Sequence, residues 1–340
     1  MFWMSRGKTA ERIVSAIAPS LDIVGLNYAS SRYDIDVLKY PDRMMIGSET
    51  FSADLPYNWE RVKKHKQIIG DFVWAAWDYL GETCMGWTYR SYQGLPLLAN
   101  QGMIDITGYP LAPMYFLQIV WGLRKQPFLG VRPLNHSSEI PAKGAWQFTN
   151  AIDSWEWHGY EGRQTIAEVY ADAYSVSLML NGEKLGTKRV RNYKADFHVR
   201  YRAGTLEAVA HDAEGKEISR VKLNSGETEI VLTVNADKKV LQANGSDLCF
   251  AEIEFTDRKG TLKPYIEQRV EIRTHGDSAV LQGFGSALYK TDEVFYAKVH
   301  DSYRGRAIAV FRAGKKAGKT LVTVSSEGVL PVSFEIEVME

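Results

Sequence analysis

Residues 44–82 constrain this chain of 340 residues more than any other stretch. An apolar run, Met44-Met45-Ile46-Gly47, ends in Ser48-Glu49-Thr50, and a second, Phe72 to Trp77, ends in Asp78-Tyr79-Leu80-Gly81-Glu82. Each run is apolar on both faces, which is how a buried parallel strand reads. Between them Trp59, Val62, Lys66 and Ile69 fall on one stripe of a helix, with Lys63, Lys64 and His65 turned to water. Gly70 stands where such a helix would stop. Strand, helix, strand, with polar and aromatic groups gathered after each strand, predicts βα units. In a β/α barrel those strand ends form the floor of the active site. Packing gives Glu49, at the end of a buried strand, no reason to be acidic.

The flanking sequence extends the pattern. Ala10, Ile13, Val14 and Ile17 predict a helix over 9–18, capped by Thr9 and stopped by Pro19. Leu21 to Leu26 reads as another buried strand, ending in Asn27-Tyr28, and a short helix over 36–39 leads to the strand before Glu49. Tyr28 and Glu49 lie 21 residues apart, and Trp74 lies 25 beyond Glu49. Both spacings are near the roughly 30 residues per unit of an eight-unit barrel. A helix over 114–121 closes the region. The prolines at 127, 133 and 141 predict an irregular connection over 127–143. Beyond it the pattern is β: strands over 164–171, 174–180, 197–201 and 206–211, with an Asn181-Gly182 hairpin turn and a turn at Glu214-Gly215. A second set begins after Glu227, with strands over 248–255, 269–273, 307–311 and 320–324. Short strands at this spacing predict β-sandwiches.

The wording of these segments resembles glycoside hydrolase family 2, its β-galactosidase branch in particular. The resemblance rests on Gly-Ser-Glu-Thr at 47–50, followed about twenty residues later by Gly-Asp-Phe-Val-Trp at 70–74 and Trp-Asp-Tyr-Leu-Gly-Glu at 77–82. Gly-Met-Ile-Asp-Ile-Thr-Gly-Tyr-Pro at 102–110 is similar to the family's segment before the last barrel helix. Trp155 to Gly162 and Ser177 to Gly186 resemble an immunoglobulin-like domain that follows the barrel; 283–287 and 303–307 resemble a last one. The fold implied is multidomain, α/β followed by all-β. About three βα units of a TIM barrel (residues 1–130) precede two immunoglobulin-like sandwiches (131–225 and 226–340). The resemblance makes the strands barrel strands six, seven and eight, and the chain the C-terminal part of an enzyme.

The same resemblance implies a retaining exo-β-galactosidase with Glu49 as nucleophile and Tyr28 as a hydrogen-bond donor to it. Such cleavage uses two carboxylates about 5–5.5 Å apart. The family's general acid/base is a Glu in an Asn-Glu pair, and no such dipeptide occurs in this chain. Trp74 matches the family's Phe-Val-Trp tryptophan, a platform for a sugar ring; Asn27, Trp77 and Asp78 are further candidates for substrate contact. Each has a blander reading: a strand-end salt bridge for Glu49, a rim aromatic for Tyr28, a loop cap for Asn27, barrel filling for Trp74 and Trp77. Asp78 and Glu82 follow the last strand and read as structural or substrate-orienting. Trp155 and Trp157 read as sandwich core ahead of a sugar-binding face. Gly283-x-Gly285 reads as a turn or bulge, lacking the setting of a nucleotide loop. β-Glucuronidase is disfavoured by the absence of Asn-x-Lys after the last strand; β-mannosidase stays open. So does a non-catalytic sugar-binding or scaffolding fragment, because an open barrel lacks half its pocket and exposes apolar strand faces. That piece is expected to be the least stable part.

Charge excludes other classes. Lys plus Arg and Asp plus Glu both number 41, which gives no basic excess for nucleic acid. No apolar run reaches membrane-spanning length. The seven histidines are scattered without a zinc motif, and the two cysteines, Cys84 and Cys249, form no disulfide framework. The partner expected is a β-galactoside together with the rest of the enzyme, with no cofactor and no metal.

Overall fold

The computed structural model describes residues 5, 7–81, 97–137, 146–289 and 291–340. Glu82 and Cys84 lie outside these. Helix α1 (Lys8–Ile17) leads to strand β1 (Ile23–Asn27), and α2 (Tyr33–Lys39) to β2 (Met44–Phe51); α3 (Leu55–Lys64) leads to β3 (Ile68–Trp74). The three strands form a parallel sheet in the order β1-β2-β3. Val24, Leu26, Met45 and Ile68 turn to one face and pack with Ala18 and Tyr33 in a small core, with Val14 of α1 and Val62 of α3 against it.

Two expectations need correction here. The helix does not run on to Gly70: α3 ends at Lys64, and Ile69 and Gly70 belong to β3. Ile68 pairs with Met45 across the sheet, and the β-branched Ile68 and Ile69 suit a strand better than a further helical turn. The strand therefore spans 68–74 in place of 72–77 and ends at a cis Trp74–Ala75 peptide bond. Nor are the strands buried on both faces. Ile23, Ile69 and Phe72 are 47%, 46% and 64% exposed on the face opposite the helices.

Behind the sheet, Asp71 accepts a hydrogen bond from Asn58 Nδ2 of α3 at 3.2 Å. A Cβ on Gly47 would lie 2.3 Å from Asp71 Oδ1 and 2.6 Å from the Tyr33 hydroxyl, so only glycine fits between them. Burial lifts the Asp71 carboxyl to about 6.

Helix α4 (Ala112–Val120), with Pro113 in its first turn, packs Phe116, Ile119 and Val120 against Leu55, Phe128 and Tyr170. The connection after it is not wholly irregular: Phe128–Val131 forms β4. Pro127 and Pro133 flank this strand and leave its ladder to β5 intact. Strands β5 (Gln164–Tyr170), β6 (Ser175–Leu180), β7 (Glu183–Arg189), β8 (Lys194–Arg200), β9 (Thr205–His211) and β10 (Glu217–Asn224) follow. They make two sheets, β4-β5-β8 and β10-β9-β6-β7, around one core. Trp155 and Trp157 are fully buried in that core, although neither lies on a strand. Asn181 and Gly182, at φ +52° and +81°, turn β6 into β7 with Leu180 opposite Glu183.

A second sandwich comprises β11 (Val231–Ala236), β12 (Val240–Gln242), β13 (Leu248–Thr256), β14 (Arg269–His275), β15 (Ala279–Gly285), β16 (Val299–Asp301), β17 (Arg306–Ala313), β18 (Gly318–Ser326) and β19 (Val332–Met339). Its sheets run β11-β13-β17-β15 and β12-β19-β18-β14-β16. A register shift between Leu281 and Gly283 makes that glycine part of a bulge in β15. Cys249 is a buried free thiol in the core. Lys263 of this sandwich is fully buried and pairs at 2.8 Å with Glu156, also fully buried, beside Trp155 and Trp157. Its ammonium also donates to the Glu227 carbonyl, and the Gly226 amide donates to Glu156. One ion pair thus clasps both sandwiches and the chain between them.

Removing one member of such a pair strands a buried charge. Lys263→Ala is expected to destabilise the chain by about 3–5 kcal/mol in calorimetry, while Lys263→Met with Glu156→Gln recovers most of the loss. Asp71 gives a pH signature. Its carboxyl holds its proton more tightly folded than unfolded, so its effect is to lower stability as pH rises from about 4 to about 6. In Asp71→Asn the new amide faces Asn58 Oδ1 and the Tyr33 hydroxyl, which have no partner among the described residues. That variant should exceed the parent by on the order of 1–2 kcal/mol at pH 7 and equal it at pH 4, read by amide exchange in β2 and β3.

Candidate functional site

The C-terminal ends of β1 and β2 bring the first group together. Gly25 pairs with Ile46 and Asn27 with Glu49, so β2 carries one residue more than β1 over this interval. The same excess appears against β3, where Gly47 pairs with Asp71 and Thr50 with Val73. An inserted residue is a bulge, and it re-aims the side chains that follow. Under strict alternation Glu49 would share the helix-covered face with Gly47. Instead Ser48 and Glu49 both reach Asn27 on the open face: Ser48 Oγ donates to Asn27 Oδ1 at 2.6 Å, and Asn27 Nδ2 donates to Glu49 Oε2 at 3.4 Å. Thr50 returns to the covered face, where its methyl meets Gly47.

Tyr28 leaves the strand at φ +49°, its amide donating to the Glu49 carbonyl at 2.7 Å. Its hydroxyl accepts from Trp146 Nε1 at 2.8 Å. Burial first, and then a hydrogen bond with the Glu49 carboxylate, push the phenol well above its ordinary pKa. The hydroxyl is therefore a proton donor at any physiological pH. Phe51 stacks on the Tyr28 ring at 4.2 Å, and Trp146 meets both rings edge-on. Glu49 thus has two donors, one amide and one phenol, fixed by an aromatic wall.

Trp74 ends the neighbouring strand opposite Phe51. Its indole N–H donates to Gln101 Oε1 at 2.8 Å, and Tyr79 stands edge-on to it at 5.7 Å. Trp77 is 54% exposed and lies over Gly108, on the loop that follows. Asp78 is buried, and its Oδ1 accepts from the Gln101 and Gly102 amides at 3.1 and 3.4 Å. Burial raises its pKa. Asn27, Tyr28 and Glu49 are therefore in direct contact, Trp74 stands one strand away, and Asp78 is spent on the loop that holds Trp74.

Sequence reasoning did not single out Ser48, Phe51, Gln101 or Trp146. Trp146 belongs to the proline-marked connection and reaches Tyr28 across 118 residues of chain, a contact no local pattern encodes. Gln101 had a faint signal, being a polar side chain just before the Gly-Met-Ile-Asp segment. Among the described residues no group of three or more His, Cys, Asp or Glu side chains is placed to hold a metal ion.

The chain is similar to known proteins over most of its length. Residues 232–335 match a glycoside hydrolase family 2 C-terminal domain (domain 5), and residues 162–219 match a domain of unknown function (DUF4982). The β-galactosidase BoGH2A of Bacteroides ovatus is 26% identical over 282 residues, 82% of this chain and 29% of that protein. A crystal structure of a glycosyl hydrolase family 2 member from Bacteroides cellulosilyticus superposes with a TM-score of 0.85 at 29% identity, covering 96% of this chain and 43% of that one. A family 2 β-glucuronidase structure, 16% identical, shares the fold with a TM-score of 0.69 over 94% of this chain and 33% of that one. The chain spans less than half the length of each of these relatives. Motif, fold and relatives converge in supporting a C-terminal fragment of a glycoside hydrolase family 2 enzyme.

Proposed function

We propose that the enzyme carrying this chain is a retaining exo-β-galactosidase in which Glu49 is the nucleophile. The supporting observation is the bulge in β2, which turns Glu49 out at the end of a parallel strand against the Asn27 amide and the Tyr28 hydroxyl. In this reading β1, β2 and β3 are the last three strands of a TIM barrel. Residues 1–130 form the barrel portion, and 131–225 and 226–340 form two immunoglobulin-like sandwiches.

The carboxylate of Glu49 attacks the anomeric carbon as the glycosidic C–O bond breaks. The departing oxygen takes its proton from an acid outside this chain, and water then releases the sugar from Glu49. Tyr28 and Asn27 hold the nucleophile aimed before attack, and Trp74 offers its face to the sugar ring. Trp77, exposed on the next loop, is placed to meet the aglycone. The sheet face that would line the pocket carries the exposed Phe72 and Ile69, so this segment alone offers an incomplete site. The relatives' galactosidase and glucuronidase names leave the sugar to experiment; residues 75–130, after β3, lack the Asn-x-Lys expected of a glucuronidase, and the triplet Asn192-Tyr193-Lys194 lies in the first sandwich.

Full-length enzyme should release aryl alcohol from aryl β-galactosides in preference to β-mannosides and β-glucuronides. Glu49→Gln should lower kcat roughly 10³-fold or more. A 2-deoxy-2-fluoro-galactoside should leave a covalent adduct on the peptide containing Glu49, found by mass spectrometry; an adduct on another carboxylate would remove Glu49 from the mechanism. The 340-residue chain alone should show negligible turnover, restored when the remainder of the enzyme is added. Robust turnover by the chain alone would refute the incomplete-site reading. Trp74→Ala should raise KM about tenfold or more with a smaller effect on kcat, as loss of one aromatic platform of about 1–2 kcal/mol.

A further inference from the structure

The last sandwich meets the loop behind the candidate site through Tyr289 and Tyr303, which pack on Leu98, and through two cations, Arg306 over the Tyr109 ring and Arg304. Tyr303 and Arg306 exchange backbone hydrogen bonds of 2.9 and 3.0 Å across a two-residue turn, Arg304-Gly305. Arg304 occupies that turn at φ +51°, a conformation that glycine or asparagine takes with less strain. An arginine there is poorly explained by the turn itself. Its side chain runs inward. Nη2 lies 3.5 Å from the Asn150 carbonyl, and Nε is buried without a hydrogen-bond partner among the described residues.

Arg304 lines a small cavity of about 20 Å³ together with Asp78, Asn100, Asp105, Gln147 and Tyr289. A space of this size holds about one water. No ion pair links Arg304 to a carboxylate among the described residues; of the two acids that share the cavity, Asp105 acts on the cation electrostatically, and Asp78 lines the cavity beside it. A buried charge is tolerated where an opposite charge or hydrogen bonds offset its desolvation. Asp78 in turn accepts the Gln101 and Gly102 amides. The loop is pressed so close that a Cβ on Gly102 would sit 2.3 Å from the Asp78 amide nitrogen. Gln101 then fixes the Trp74 indole. Arg304 thus lines one cavity with Asp78, Asn100 and Asp105, and the Asn100–Gly102 loop beyond it is tied to Asp78 and, through Gln101, to Trp74.

We propose that Arg304 is a positioning residue: the second sandwich uses it to hold the Asn100–Gly102 loop, and through it the Trp74 ring, in place for the sugar. This rests on the reading of Trp74 as a sugar platform, but the mechanical coupling can be tested without it. Arg304→Asn keeps the turn, since asparagine accepts the backbone conformation, and removes the cation; Arg304→Lys keeps a charge. In the full-length enzyme Arg304→Asn should raise KM for an aryl β-galactoside about tenfold with kcat within about twofold, and Arg304→Lys should recover part of the loss. In the same variant, exchange of the Gln101 and Gly102 amides and of the Trp74 indole N–H should accelerate about tenfold or more, while β9 stays as protected as in the parent. Unchanged exchange at 101 and 102 overturns the coupling, and so does acceleration shared equally by β9. If the exchange result holds but no glycosidase turnover is found in the parent enzyme, the coupling stands and the sugar-platform role falls. A drop in kcat with KM unchanged overturns the positioning of a binding platform.

Discussion

The one extra residue in β2 decides where the chemistry can be. Up to Gly47 the strand alternates, and every second side chain enters the core beneath the helices. That core tolerates no Cβ at Gly47, because Tyr33 and Asp71 already fill the space. A carboxylate continuing the alternation would be driven into the same packed region, beside a buried aspartate whose own pKa has already risen. The bulge sends Ser48 and Glu49 out together and lets Thr50 return inward. Glu49 is then held by an amide and a phenol on the open face, and the sheet keeps its packed side intact. The strain of the insertion is offset by the Ser48–Asn27–Glu49 hydrogen bonds that it creates.

The sandwiches contribute position to this site more than surface. Trp146, from the connection to the first sandwich, supplies the indole donor to Tyr28. Gln147, its neighbour, donates to the Gly102 carbonyl at 3.3 Å. Arg304, from the second sandwich, lines the cavity behind Asp78. These contacts have fixed geometry only if the sandwiches are themselves fixed, which is the work of buried ion pairs. Glu156 and Lys263 join the two sandwiches. Glu168, also buried, takes Arg132 at 2.7 Å and Lys194 at 2.9 Å, joining the strands on either side of it. Such pairs contribute little net stability because desolvation offsets the attraction, but each has one satisfied arrangement and many costly ones. They make the joint specific.

What could be read in the sequence followed from local periodicity and turn chemistry. Asn181-Gly182 implied its hairpin because only such residues enter the left-handed region cheaply. The tryptophans at 155 and 157 implied a core, and both are buried, although they sit on an irregular segment and not on a strand. The strand-helix-strand order around Glu49 was visible, but its boundaries were not. Ile68 and Ile69 suit a helix stripe and a strand equally, and the choice falls to pairing with Met45, a residue 23 positions earlier. β4 was hidden by its flanking prolines, which read as breakers until the partner strand is known. The bulge, the Trp146 contact and the Gln101 link to Trp74 were illegible because each depends on side chains brought together from distant parts of the chain.

In the proposed reading, the open face of the parallel sheet explains why the segment can fold and still lack a complete site. Its helix side has a real core, from Ala18 to Ile68, and the sandwiches brace the loops at the strand ends. Folding of the sheet therefore does not require the second face to be covered. Catalysis does. A nucleophile's attack is useful only with an acid to receive the leaving oxygen and with water excluded from the charged pair. The exposed Phe72, Ile69 and Ile23 lie on the surface that would have to be covered for both. The same apolar side chains that leave the isolated segment with a sticky surface are, once covered, the walls that would make the Glu49 carboxylate effective. The two requirements, a supported nucleophile and an enclosed one, are met by opposite faces of a single sheet.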